Sequence, residues 1–283
     1  MNVKEHLSID EQIILLRSRG CLIEDENEVH TVLRDVNYYR LASYFLPFKE
    51  SEDKYIEGTT FNKVYRNYLF DRKLRNMISY IIEYIEVMIK TKIAYFHSKK
   101  YGPLGYLNGN NYNAMFDEGA LQEKISKCLE RNKSNPIIIH HCEKYQGHFP
   151  LWVIIEFFDF GFISKMYYQL DTQLQKEISK SLNVKHDKLS SWLYCLTHLR
   201  NCCAHYARIY NTHMISIPKT PKNYSFKFTK TLFSYLLVMK ELLCWKTDWK
   251  NFVIELEALI EEYSEDIDLN RMGFPTNWRE LLL

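Results

Sequence analysis

Between Thr60 and Lys99 the chain holds neither Gly nor Pro. Apolar residues recur there at positions 61, 64, 65, 68, 74, 77, 78, 81, 82, 85, 88, 89, 93 and 96, the three-or-four spacing of one helix face. About 40 residues of unbroken helix would run about 60 Å. The stretch therefore predicts a spine, with a kink as the alternative, around which shorter elements must pack. The shortage is general: 9 Gly and 7 Pro in 283 residues, about half the roughly 12% usual in globular chains. Few turn-formers mean few tight turns and long elements. The predicted class is all-α, a bundle on a long central helix with further N- and C-terminal helices.

Local signals place the other elements. Ser8 and Glu11 form a capping-box pattern, in which the Ser oxygen takes the third amide and the Glu reaches back, and Gly20 supplies a left-handed stop. A second helix is predicted after Glu24–Glu28, and a third over Asn37–Leu46, ended by Pro47. Charged residues 49–59 read as a loop or short hairpin, and the Gly- and Asn-rich 101–112 as a loop. Helices are predicted over 117–133, 136–145, 162–170, 173–182, 187–206, 231–245 and 248–263. The apolar run Leu151–Phe160 is predicted to be buried, and Glu156 within it, if buried, to be paired, with an Arg as partner.

Net charge is +2, from 37 basic and 35 acidic residues, so no global field advertises nucleic acid, although a local site needs only local charge. The 7 Cys are odd in number and lack C-x-x-C spacing, which argues against a disulfide framework and a zinc ribbon. The N-terminus shows no apolar leader core, and no apolar run approaches membrane-spanning length. A soluble, cytoplasmic protein without membrane contact is expected.

One segment concentrates chemistry: Leu199 to Asn211. If it is helical, Asn201, His205 and Arg208 stand at i, i+4 and i+7 on one polar edge, and the long Arg200 side chain bends toward the same spot. Guanidinium groups grip phosphate in a fork, and imidazole moves protons near neutral pH. That set suits phosphodiester cleavage without a metal: His205 takes a proton from a ribose 2′-hydroxyl or gives one to the leaving 5′-oxygen, and Arg200 stabilises transition-state charge. A second acid or base is not obvious nearby, and a dimer would supply one. No metal or cofactor is expected. Competing readings are a basic helix end complementing the dipole, and zinc on His198, Cys202 and His205, which lack a spaced fourth ligand. Tyr38, Tyr39 and Arg40 either clamp RNA or fix a helix against the spine. Glu83 and Glu86 read as ion-pair partners for Arg72, Arg75 or neighbouring Lys.

Arg200 to His205 matches the R-x(4–6)-H signature of HEPN ribonucleases, and four blocks together resemble the Abi-like (AbiD/AbiF type) abortive-infection proteins. These are Tyr38-Tyr-Arg40-Leu-Ala-Ser-Tyr44; Phe70–Arg75 followed by Glu83 and Glu86; Pro150-Leu-Trp152 through Glu156 to Gly161; and Arg200 through Asn211. The resemblance implies a HEPN-type bundle, RNA cleavage leaving a 2′,3′-cyclic phosphate, a homodimer with a composite active site, and antiphage defence. It implies Arg200, Asn201 and His205 as catalytic and Arg208, Asn211, Tyr39 and Arg40 as RNA-binding. Tyr206 stands where many relatives carry a second His, and Asp159 where Ser is usual. Residues 1–58 are read as an N-terminal helical segment packed on a HEPN-like domain, 59–283, with one continuous domain as the alternative. The other function class is an RNA-binding regulatory module, bound to a cognate small RNA, whose site is silent.

Overall fold

A computed structural model describes residues 5–51, 53–221, 224–243 and 245–283. Of the positions read above, residues 1–4, Glu52, Lys222, Asn223 and Cys244 lie outside them. The chain is 67% helical, with 13 α-helices among the described residues and one two-stranded hairpin.

The first helix, α1 (Ile9–Ser18), begins as its capping box requires: Ser8 Oγ accepts from the Glu11 amide at 3.2 Å and Glu11 accepts from the Ser8 amide at 2.7 Å. Gly20, at φ +87°, turns the chain out. Helices α2 (Glu26–Asp35) and α3 (Tyr38–Phe45) follow, capped by Asp25 and Asn37. A 3-10 turn through Pro47 leads to the hairpin of β1 (Lys49–Ser51) and β2 (Lys54–Tyr55). The spine, α4 (Phe61–Tyr101), is one unbroken helix of 41 residues, about 60 Å along its length.

Beyond it come α5 (Glu118–Arg131), α6 (Pro136–Tyr145), α7 (Leu151–Ile154), α8 (Phe160–Gln169), α9 (Thr172–Lys180) and α10 (His186–Ala204). The chain closes with α11 (Leu232–Leu242), α12 (Lys246–Glu262) and α13 (Trp278–Leu282). No helix among the described residues is long and apolar enough to cross a membrane.

The spine unites two apolar clusters. Its first turns, through Phe61 and Val64, close a small cluster with Ile13, Leu16, Val29, Leu33, Leu41 and Phe45. From Phe70 onward, Leu74, Ile78, Ile81, Ile82, Ile85, Ile89 and Ile93 enter the main core, where α7 to α12 pack around them. Each such side chain contributes about 1.5–3 kcal/mol by leaving water. On α10, Leu189, Trp192, Leu193, Leu196 and Leu199 all face inward, as predicted.

The 151–160 run departs from expectation. It breaks into α7 and a 3-10 turn, which buries Leu151, Ile154, Ile155, Phe158 and Phe160 but leaves Trp152 and Glu156 exposed. Glu156 thus needs no buried partner; its main-chain carbonyl accepts from Lys90 at 3.4 Å.

Near the far end of the spine, His97 is wholly buried against the rings of Tyr101 and Tyr112, with neither ring nitrogen hydrogen-bonded. Burial lowers it from 6.5 to about 4. The unfolded chain therefore binds a proton that the fold refuses, and stability that is complete above pH 6.5 falls as pH drops toward 4. The expected loss is about 3 kcal/mol, measured by urea unfolding across that window. His97→Phe should flatten the slope, and an unchanged slope in that variant would exclude His97 as its source.

Candidate active site

The site is built where α10 ends, and α10 ends for a local reason. The Tyr206 amide donates to the Cys203 carbonyl at 3.2 Å and the Ala207 amide to the Cys202 carbonyl at 2.8 Å, the paired bonds of a Schellman stop. Tyr206 takes the left-handed position at φ 58°, where Gly is the usual residue. His205 is therefore the helix cap, and residues 206–211 leave the helix axis. The single polar edge expected for Asn201, His205 and Arg208 does not form, because the helix stops before its last member.

What receives the departing chain is Asp71, in the interior of α4 and fully buried. Its carboxylate accepts from the Tyr210 amide at 2.7 Å, the Ile209 amide at 3.2 Å and the Tyr44 hydroxyl at 2.5 Å, and pairs with Arg75 one turn on. Arg75 also donates to the Tyr44 hydroxyl at 3.2 Å and the Ala207 carbonyl at 3.4 Å. Burial pushes the Asp71 carboxyl up, against the pull of Arg75, Tyr44 and the two amides. The Tyr44 hydroxyl is raised well above its ordinary value, first by burial and then by Asp71. Sequence reading gave Asp71 no role. Its signal was the interruption of the apolar stripe at 71 and 75, an acid and a base one helical turn apart on the inward face.

Two arginines then brace α3 against the loop after α10. Arg40 Nη1 donates to the Tyr206 carbonyl at 2.8 Å, and Arg208 Nη1 donates to the Ser43 carbonyl while its guanidinium lies 5.9 Å from the Tyr44 ring centroid. Burial lowers the Arg208 pKa. Tyr38 and Tyr39 differ in their surroundings. The Tyr38 hydroxyl accepts from Arg19 at 3.3 Å and packs on the N-terminal cluster, whereas Tyr39 is 85% exposed.

These pieces frame a cleft of about 460 Å³ lined by Asn37, Tyr39, Arg40, Ser43, Tyr44 and residues 205–208. Four predicted site residues meet there: Tyr39, Arg40, His205 and Arg208. His205 is exposed.

The others lie apart. Arg200 turns away to Glu86, with Nε 3.6 Å from Oε2, in a depression of about 320 Å³ lined by Ser79, Glu83, Val87 and Ala204 among others. Glu86 also holds Lys90 at 3.2 Å, so a neighbouring Lys is its partner as predicted, and Arg72 and Arg75 are not. Asn201 touches Arg200, Oδ1 to Nη1 at 3.4 Å, yet lines a third and larger groove of about 930 Å³. Asn211 follows the Asp71 clamp in left-handed conformation, φ 49°, which Asn tolerates better than most residues; that is a backbone reason for Asn at this place. Cys202 Sγ lies 3.7 Å from His198 Nε2, while His205 lines a different cleft. Among the described residues no group of three His, Cys, Asp or Glu is arranged to hold a metal ion.

The fold and cleft define an all-α protein whose polar site is assembled around the end of one helix. The chain belongs to the Abi-like protein family, which matches residues 31–211. That span contains every candidate residue named above and stops before α11 to α13. Membership identifies an abortive-infection protein in general terms. Neither a curated protein nor a solved structure matches the chain.

Asp71→Asn should lower stability by about 3–5 kcal/mol, because it leaves Arg75 as an uncompensated buried charge. A loss below about 1 kcal/mol in urea unfolding would remove the clamp from its central place. Tyr206→Gly should raise stability by up to about 1 kcal/mol by relieving the left-handed strain. A loss of similar size would show instead that the ring holds the turn.

Proposed function

We propose that the chain is an antiphage endoribonuclease that cleaves RNA without a metal, in the manner of HEPN enzymes. The carrying observation is that His205 lines one cleft with two guanidinium groups and the exposed Tyr39 ring. Arg40 and Arg208 each commit an N–H to a carbonyl, and a guanidinium has five, so both retain donors for phosphate oxygens. His205 removes the 2′-hydroxyl proton as that oxygen attacks phosphorus, and the 5′-oxygen leaves as an alcohol once protonated, producing a 2′,3′-cyclic phosphate.

A second proton carrier and the Arg200 charge enter, on this reading, from a second copy in a cytoplasmic homodimer. The Arg200 depression is bordered by the exposed side chains of Val87 and Ala204, and half-exposed Tyr80 stands on the same helix. This apolar surface supports such pairing. One observation favours the other reading, an RNA-binding module with a silent site. Within a single chain Arg200 is engaged by Glu86 and does not share the cleft of His205.

The test is cleavage of RNA by the purified chain in EDTA. His205→Ala and Arg200→Ala should each slow cleavage by about 100-fold or more without changing the unfolding midpoint. Where each site takes His205 from one chain and Arg200, with a proton carrier other than His205, from its partner, mixing the two variants should restore roughly a quarter of wild-type activity, since half the dimers are mixed and each has one intact site. No restoration would make the partner's His205 the second carrier. Wild-type-like cutting by both variants would remove the site assignment. Binding without cutting across many RNAs would establish the silent module.

A further inference from the structure

The third groove has a lining that the proposed chemistry leaves unused. It runs between α8 and α10, is closed by the 215–219 segment, and has about twice the volume of the His205 cleft. Its size falls within the roughly 300–1,000 Å³ of pockets that enclose a ligand of several rings. Tyr168 on α8 and Tyr194 on α10 stand in it 52% and 53% exposed. Lys165 and Lys219 lie along it, each paired with a half-exposed carboxylate, Asp117 at 3.5 Å and Asp187 at 3.1 Å. Exposed pairs of that kind contribute little and exchange readily for a better anion.

The walls are braced before any ligand arrives. The Lys219 amide donates to Ser191 Oγ at 3.1 Å, and the Lys219 carbonyl accepts from Trp192 Nε1 at 2.7 Å, so the return segment is pinned to α10 from both sides. The Gln175 side chain donates to the carbonyls of Tyr168 and Leu170 at 2.8 and 2.9 Å, which fixes the end of α8. At the other end Gly161 faces α10, where a Cβ would make an ordinary contact with Thr197 Cγ2 at 3.5 Å and press on the N-cap carboxylate Asp159 Oδ1 at 3.1 Å.

We infer that the α8–α10 groove is a base-binding subsite for single-stranded RNA, in which Tyr168 and Tyr194 stack on unpaired bases and Lys165 and Lys219 hold the flanking phosphates. Three features select this occupant. Aromatic faces with cationic neighbours are the standard platform for unpaired bases. Both lysines line the groove, whereas of their two carboxylate partners only Asp187 does and Asp117 stands outside the lining. And Asn201 lies in the groove while touching Arg200, which connects it to the proposed catalytic residues. The inference rests on the RNA reading above but assigns residues outside the motif, and it requires no cleavage.

The experiment is fluorescence anisotropy of the full chain with a labelled single-stranded 12-mer of 2′-O-methyl RNA, which cannot be cut by 2′-hydroxyl attack. Tyr168→Ala and Tyr194→Ala should each weaken binding roughly tenfold or more, and Tyr194→Phe, which keeps the ring, should bind as wild type. Lys165→Gln and Lys219→Gln should each reduce the salt slope by about 0.7. The Tyr positions are exposed, so melting curves should not move. Unchanged affinity in both Tyr→Ala variants overturns the inference, as does absence of wild-type binding. A change in oligomeric mass without a change in RNA affinity also overturns it, assigning the groove to protein contact. Tyr-dependent binding by a chain that never cuts RNA upholds the inference while the cleavage reading falls. His205-dependent cutting that ignores Tyr168 and Tyr194 does the reverse.

Discussion

A carboxylate inside the spine helix decides where the rest of the site goes. Asp71 satisfies two main-chain amides of the loop after α10, a hydroxyl from α3 and a guanidinium of its own helix. Taking a charge out of water is costly unless its hydrogen-bonding capacity is filled. Here the donors come from three segments far apart in sequence, so the charge is compensated only when all three are in place. The main core alone would hold α10 against α4. It is the Asp71 cluster that sets where the chain goes after Tyr206 and which wall His205 faces.

Much of the framework was legible because it rests on local rules. The absence of Gly and Pro over 60–99 and a three-or-four apolar repeat describe one helix, and the structure holds one helix there. Ser8 and Glu11 announced α1, and Pro136 stands at the first position of α6. These readings need only neighbours in the chain. The site was less legible, because its geometry depends on contacts about 140 to 170 residues apart, such as Arg40 with Tyr206 and Asp71 with Tyr210. The spacing predicts a helix to about residue 206 and a shared edge with Arg208 only if helix continues that far. A left-handed tyrosine, a conformation sequence gives little reason to expect, ended it early. Glu156 stands among apolar neighbours, yet it shares with Trp152, four residues earlier, the face turned to solvent.

Arg200, Asn201 and His205 diverge from one helix end into three depressions. Successive residues on a helix are about 100° apart, so Arg200 and Asn201 necessarily face different neighbours, and the cap residue follows the loop. Glu86, held between Lys90 and Arg200, keeps the guanidinium on the α4 side. Any phosphate that recruits Arg200 competes with that carboxylate, so charge on the spine tunes how readily the motif engages a ligand.

The reciprocal bracing of Arg40 and Arg208 makes the cleft a joint between two distant stretches of chain. Arg40 grips the backbone at Tyr206 and Arg208 the backbone at Ser43, so each wall also supports the other. A fragment beginning at the spine would retain Arg200, Asn201 and His205 with their spacing intact, yet it would lack α3 and with it half the cleft. The cleft is therefore a property of the α3–α4–loop assembly and not of the short signature alone. Recombination or trimming upstream of residue 60 therefore reshapes the surroundings of residue 205.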